Sequence, residues 1–179
     1  MKRKAVFLDR DGTIIKDVGN LKSSENIVFY GNVYTALKNL QKEYLLFVIT
    51  NQPRIEQGLL SMKEVKIVNQ AIVERFKAES IDIKKIFICP HKVEDNCWCR
   101  KPEPYFLYKA AKEYNLDLSK SFMIGDHPAD VYCAENAGVN GIYVLTGHGI
   151  KHLHELKNKP IMAENILQAA NMIINKLKN

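Results

Sequence analysis

The strongest constraint on this chain is a rhythm in which short runs that are apolar almost throughout alternate with stretches whose apolar residues recur every three or four positions. Ala5–Leu8, Leu45–Ile49, Ile86–Ile88 and Phe122–Ile124 are runs of the first kind, and Ile142–Leu145 reads as a fifth. A strand with no polar face has to be covered on both sides, as in a parallel sheet flanked by helices. Between the runs lie helical stripes: Val33, Leu37 and Leu40, then Val65, Val68, Ile72 and Phe76. The capping box Ser61-x-x-Glu64 fixes where the second begins. Pro104 suits the first turn of a helix running to about Tyr114, Gly138 ends another, and Ile166, Ala170, Ile173 and Leu177 form a closing helix. The alternation predicts an α/β chain with a Rossmann-like, doubly wound parallel sheet of about five strands, whose ligands lie at the carboxyl ends of the strands. At 179 residues, 46% of them apolar, the chain suits one domain spanning residues 1–179, and no repeat or linker divides it.

Charge and cysteines narrow the setting. The formal charge of +6 admits a nucleic-acid partner, but the lysines are spread along the chain and only Lys176–Lys178 is dense. A positive field that draws in phosphorylated substrates accounts for the balance equally well. Asp9 interrupts the apolar run that follows the basic opening, and Tyr44–Ile49 is too short to cross a bilayer, so neither export nor a membrane partner is expected. Cys89, Cys97 and Cys99 crowd beside His91, the pattern of a metal site in a reducing compartment, and the expected location is the cytoplasm. Cys133 falls on the inner stripe of a helix with Ala134 and Ala137 and is expected in the core.

The chemistry-bearing residues fall where the runs end. Asp9 and Asp11 follow the first strand, two positions apart and therefore on one face, so both carboxylates are expected in one pocket. Gly12 lets the chain turn and Thr13 braces the turn. Thr50 and Asn51 end the second strand on the same rim. Lys101 precedes Pro102, which suits a rigidly placed cation. Gly125 leads into Asp126 at the tip of another strand, and Asp130 lies at a helix start, where a carboxylate also serves as a cap.

Together these residues resemble the four-motif signature of the haloacid dehalogenase (HAD) phosphatase superfamily, from Asp9 to Asp130. Phe7-Leu8-Asp9-Arg10-Asp11-Gly12-Thr13 resembles the first motif, Val48-Ile49-Thr50-Asn51-Gln52 the second, Arg100-Lys101-Pro102 the third, and Ile124-Gly125-Asp126-x-x-x-Asp130 the fourth. The resemblance implies a phosphoric monoester hydrolase in which Asp9 is the nucleophile and Asp11 the general acid and base. It implies Mg²⁺ held by Asp9, the Asp11 backbone carbonyl and Asp126, with Asp130 behind them. Thr50 and Lys101 would hold the phosphoryl oxygens.

The sequence Cys89-x-His91-x₅-Cys97-x-Cys99 supplies four ligands of the kind a closed tetrahedral Zn²⁺ site uses, within a loop (89–101) too polar to hold its shape by packing. Placed directly before Arg-Lys-Pro, it resembles the loop of the D-glycero-D-manno-heptose 1,7-bisphosphate phosphatases and the related histidinol-phosphate phosphatases. Both are capless, and the intervals Asp9–Thr50 and Thr50–Lys101 leave no space for a cap domain. By the family's pattern, access is governed by Asp17–Asn20, Asn51–Arg54 and Arg100. The substrate contacts would be Asp17, Asn20, Asn51, Gln52, Arg54, Arg100 and His127, with Arg54 and Arg100 suited to clasp a distal phosphate. Gln52-Pro53-Arg54-Ile55, Asn20 and His127 depart from the residues usual at these substrate-facing positions.

The expected partner is a small sugar (bis)phosphate, foremost the heptose bisphosphate, with histidinol phosphate or another sugar phosphate as the rival. The expected state is a monomer with no nucleic acid bound. A basic zinc-containing nucleic-acid module would need stacked aromatics, and the loop offers only Trp98 beside Glu94 and Asp95. An inactive scaffold is disfavoured because every residue the motifs require is present. His148, His152 and His154 receive no metal, and Thr146–Gly149 is expected at the pocket edge.

Overall fold

The structure, a computed structural model, describes residues 2–176. Six strands, β1 (Ala5–Leu8), β2 (Leu45–Asn51), β3 (Ile83–Cys89), β4 (Phe122–Gly125), β5 (Asn140–Val144) and β6 (Ile161–Ala163), form one sheet in the order β3-β2-β1-β4-β5-β6, with every neighbouring pair parallel. Among the described residues α1 (Val33–Leu40), α2 (Met62–Ala78), α3 (Tyr105–Tyr114) and α4 (Pro128–Asn136) connect the first five strands in turn, and α5 (Ile166–Lys176) follows β6.

The sheet holds one strand more than the five expected. The addition, β6, is an edge strand of three residues whose Ile161 and Met162 are exposed, so it carries no buried apolar run to signal it. At the other edge β3 starts earlier than Ile86 and includes Lys84 and Lys85, charges that blunt an edge against pairing with other chains. β5 spans Asn140–Val144, one residue short of Leu145. The Ser61–Glu64 capping box starts α2 as expected, while Pro104 is the N-cap of α3, one place before its first turn. Gly138, at φ +67°, follows the end of α4 in the left-handed conformation that costs glycine little. Leu177 lies outside the described residues.

Alternation along β1 and β2 divides the core. Val6, Leu8, Leu46 and Val48 face one side and pack with residues of α1, α2 and α5, whereas Ala5, Phe7, Phe47 and Ile49 face the other and pack with residues of α3 and α4. Leu8 is level with Val48 of β2 and Ile124 of β4, so the tips of these strands share one rim. Strand order reverses between β1 and β4, and the helices following these strands cover opposite faces. That reversal opens a crevice at the carboxyl ends of the strands, where ligands of such sheets bind. No helix among the described residues is long and apolar enough to cross a membrane.

Phe47 is fully buried, with its ring 5.4 Å from Phe7 and 4.9 Å from Tyr114. Phe47→Ala is expected to lower the unfolding free energy by about 3–5 kcal/mol with little change in denaturant slope, measured by urea unfolding.

Candidate active site

The site grows from the tip of β1. The Asp9 backbone N–H donates to the Ile124 carbonyl at 2.9 Å, which stitches the first carboxylate-bearing residue to β4. The chain then turns at Gly12, whose φ is +88° and where a Cβ would stand 2.0 Å from Asp126 Oδ2. Gly125 is required for a similar reason: a Cβ there would meet the Asp130 carboxyl carbon at 2.2 Å. The glycines let Asp126 and Asp130 close in behind Asp9. The His148 N–H donates to Asp126 Oδ2 at 2.7 Å, and the Thr146 hydroxyl donates to the Gly12 carbonyl at 2.7 Å, so the loop after β5 fastens the first loop from above.

Lys101 arrives from the opposite side on the loop between β3 and α3. Asn51, at the end of β2, grips it by two hydrogen bonds of 3.2 Å, its amide donating to the Lys101 carbonyl and its oxygen accepting the Lys101 N–H. The Lys101–Pro102 peptide bond is cis. Lys101 Nζ donates to the Ile49 carbonyl at 3.0 Å and to Asp9 Oδ1, and it lies 2.6 Å from Asp130 Oδ1. Asp130 also accepts the His127 N–H at 3.0 Å while His127 Nδ1 accepts the Ala129 N–H at 3.1 Å, a capping box that starts α4. The cap reading of Asp130 therefore holds alongside an ion pair with Lys101.

The balance of charge is the site's main feature. Asp9, Asp126, Asp130 and Lys101 are 8%, 2%, 1% and 4% exposed, so three carboxylates surround one ammonium. Burial pushes the Asp9 carboxyl well above the usual carboxylate range; Lys101 opposes the rise, and Asp130, Asp126 and Asp11 add to it. Burial, then Asp130, pushes Asp126 up to about 6. Burial works against the charge of Lys101, but Asp130 and Asp9 outweigh it and hold the ammonium well above the lysine range. Ligand oxygens of Asp9, Asp126 and Asp130 lie within 4.8 Å of one another. A buried cluster of hard oxygen donors with excess negative charge fits a divalent cation.

Asp9, Asp11, Thr50, Asn51, Arg100, Lys101, Asp126, His127, Ala129, Asp130 and His148 line a cleft of about 170 Å³. A larger hollow of about 940 Å³ lies at the amino ends of the strands, where Lys4, Leu45 and Phe122 border it, remote from the carboxylates. Asp11 shares the cleft with Asp9, as the spacing suggests, but its carboxylate is taken by protein donors, among them Gln52 Nε2 at 2.8 Å. Gln52 is buried and also donates to the Thr50 hydroxyl at 2.9 Å, so its amide is spent on the site itself. Asp17, Asn20 and Arg54 are not among the lining residues. Arg54 donates to Asn20 Oδ1 at 2.7 Å on the neighbouring loops, and Asp17 meets His148 Nε2 at 3.0 Å on the rim.

One residue escaped the sequence reading and another was placed without its role. Arg10 is buried and donates to Asp11, and His148, on the loop expected at the pocket edge, lines the cleft and contributes its backbone N–H to Asp126. A buried arginine between two aspartates is a signal in retrospect, since such a charge needs a partner; a backbone contact leaves none.

The ligand atoms of Cys89, His91, Cys97 and Cys99 also gather within 4.8 Å, at separations that include 2.8 Å between Cys97 Sγ and His91 Nδ1 and 3.9 Å between Cys89 and Cys97 Sγ. Three sulfurs and an imidazole converging in this way are the donor set of a closed Zn²⁺ site, whose bonds would spread the closest pairs apart. Burial pushes the Cys89 and Cys99 thiols up, whereas Cys97, despite its own burial, is held below the usual thiol range by hydrogen bonds from Cys99; a cation bound among them would favour the thiolate form. Cys133 is buried in the core. His127, His152 and Glu155 converge as well; His127 Nδ1 accepts from the helix cap and His152 Nδ1 lies 2.5 Å from Glu155.

The raised Asp126 carries a sign. Its folded pKa of about 6 stands above the ordinary 3.8, so without metal the folded state binds more protons and loses stability as pH rises from about 4 to about 6. Asp126→Asn is expected to remove this slope and raise the Tm of the metal-free protein at pH 7, a gain of up to about 3 kcal/mol, measured by thermal unfolding across pH.

Residues 98–169 match a family model described as HAD-hydrolase-like. The D-glycero-beta-D-manno-heptose-1,7-bisphosphate 7-phosphatase of Helicobacter pylori is 37% identical over 153 residues, covering 84% of this chain and 88% of that protein. The D-glycero-alpha-D-manno-heptose-1,7-bisphosphate 7-phosphatase of Photorhabdus laumondii is 31% identical, covering 96% of this chain and 97% of that one. Among solved structures, the D,D-heptose 1,7-bisphosphate phosphatase from B. bronchiseptica, complexed with magnesium and phosphate, superposes with a TM-score of 0.88 at 26% identity, covering 97% of this chain and 99% of that one. With its carboxylates and lysine gathered at the sheet's switch point, the chain belongs to the HAD-like phosphatases, in the family of the D-glycero-D-manno-heptose-1,7-bisphosphate 7-phosphatases.

Proposed function

We propose that the chain removes one phosphate from a D-glycero-D-manno-heptose 1,7-bisphosphate, with Asp9 carrying the phosphoryl group between substrate and water. The observation that supports this most is the burial of Asp9, Asp126 and Asp130 around the single ammonium of Lys101. Mg²⁺, when bound by the Asp9 and Asp126 carboxylates and the Asp11 carbonyl, supplies the positive charge that lets a phosphate dianion approach a carboxylate.

The residues then divide the work. Asp9 attacks phosphorus in line with the sugar oxygen, and the Lys101 ammonium and the Thr50 hydroxyl hold the phosphoryl oxygens where charge gathers. Asp11 gives a proton to the departing sugar oxygen. It then takes one from the water that attacks the phosphoaspartate, which frees phosphate and restores Asp9. Asn51 keeps Lys101 in place, and Asp130 holds its ammonium from behind.

A cleft of about 170 Å³ takes in a phosphoryl group and little more. The sugar and its second phosphate therefore rest on the open rim, among Arg100, His127 and His148, with Arg54 and Asn20 on the loops beyond. Arg100 Nη1 lies 3.2 Å from the His91 carbonyl, which ties this rim residue to the cysteine loop. The two relatives differ in anomer, so either anomer of the bisphosphate is a candidate. We assign Zn²⁺ to Cys89, His91, Cys97 and Cys99 and a cytoplasmic location, where these thiols stay reduced.

Phosphate release is expected to be fastest with one heptose 1,7-bisphosphate anomer in a panel that includes sugar monophosphates and histidinol phosphate, assayed with Mg²⁺. A preference for substrates lacking a second phosphate contradicts the assignment. Asp9→Asn should bring release to background, and turnover surviving it rules out the phosphoaspartate route. Because the loop from Cys89 delivers Arg100 and Lys101, Cys97→Ser is expected to abolish the single tightly held zinc, found by elemental analysis, and to lower both Tm and kcat/KM.

A further inference from the structure

Arg10 has no place in the reaction as described, yet it is a cation only 2% exposed, set between the two aspartates of the first motif. Its guanidinium makes a fork on Asp11. Nε donates to Oδ2 at 3.0 Å, and Nη2 donates to Oδ2 at 2.8 Å and to Oδ1 at 3.1 Å. The third arm is fixed independently, for Nη1 donates to Asn69 Oδ1 at 2.7 Å. Asn69 is the one buried polar residue of α2, lying beside the apolar residues Val65, Val68 and Ile72, and its Nδ2 has no hydrogen-bond partner among the described residues. A polar side chain kept on that face with half its capacity unused is accounted for by its hold on Arg10.

The bonds on the two oxygens of Asp11 are unequal. Oδ2 receives Arg10 twice and Gln52 Nε2 at 2.8 Å, three donors that stay in place when the Thr50 hydroxyl, 3.4 Å away, turns its one proton to the phosphoryl group, whereas Oδ1 receives only the 3.1 Å bond from Arg10. Three donors on Oδ2 leave no direction for a proton there. Oδ1 remains.

We propose that Arg10, anchored by Asn69, is a positioning residue that fixes Asp11 so that Oδ1 is the oxygen that carries the catalytic proton. The inference rests on the reading of Asp11 as acid and base. As the bond from phosphorus to the sugar oxygen breaks and one forms to Asp9, the proton on Asp11 Oδ1 passes to the sugar oxygen. Without the fork only the bond from Gln52 to Oδ2 remains, about which the carboxyl group can turn, and proton transfer loses its geometry while attack by Asp9 keeps its own.

The test exploits leaving groups, using kcat/KM of the Mg²⁺ enzyme because this ratio reports phosphoryl transfer to Asp9. A sugar phosphate needs the proton, whereas p-nitrophenyl phosphate leaves as a stable anion and does not. Arg10→Met is expected to lower kcat/KM for the sugar phosphate roughly 100-fold while that for p-nitrophenyl phosphate stays within about threefold. Asn69→Ala retains the buried cation and carries the test if the first variant does not fold; it should show a smaller loss with the same selectivity. Arg10→Lys, which keeps the charge but not the fork, should not restore the rate. Asp11→Asn should show the selective loss itself, and combining it with Arg10→Met should add nothing.

Equal losses on both substrates, or none, overturn the positioning role. If Asp11→Asn shows no selectivity, the acid and base assignment fails instead, and the two failures are told apart.

Discussion

Three carboxylates taken out of water around one ammonium are the constraint on which this molecule turns. Burial alone disfavours the charge on Asp9 and Asp126, and their mutual repulsion adds to the cost. Lys101 offsets part of it and in return is held firmly protonated. The remainder calls for a divalent cation and, beyond it, for a ligand that brings its own oxygens. The destabilised arrangement is therefore the one that binds: charge that is unfavourable in the empty cleft becomes favourable contact once cation and phosphate enter.

The rest of the fold supports that cluster from separate directions. Parallel pairing sets the tips of β1, β2 and β4 level, so Asp9, Thr50 and Asp126 meet without any long side chain having to reach. Gly12 and Gly125 remove the atoms that would keep the carboxylates apart. Lys101 belongs to no strand; its position depends on the grip of Asn51 and on the cysteine loop before it, which has little apolar content of its own. A structural metal in that loop would thus act on catalysis at a distance, by holding the backbone that carries the ammonium. Arg10 extends the same logic to Asp11 and links its carboxylate to α2 through Asn69.

Much of this was legible in the sequence. Buried strands announce themselves as unbroken apolar runs, and the polar residues that end them mark the rim, which is how Asp9, Thr50 and Asp126 could be placed together. The edges of the sheet were harder. β6 is short and half exposed, and the lysines at the start of β3 hide its first residues, because an edge strand need not be apolar on both faces. Side-chain direction was harder still. Spacing put Asp11 beside Asp9, but nothing in it revealed that Gln52 and Arg10 would take its carboxylate. Nor did it reveal that Arg54 would pair with Asn20 outside the cleft. Such pairings depend on how elements distant in sequence pack.

The central claim is that one cation and one phosphoryl group complete this cluster. A crystal structure with Mg²⁺ and beryllium fluoride, which mimics a phosphoryl group on a carboxylate, tests it most directly. The account predicts one ion shared by Asp9 and Asp126, with the fluoride group joined to Asp9 and facing Lys101 and Thr50. An ion bound elsewhere, or a fluoride group joined to any other residue, would contradict it.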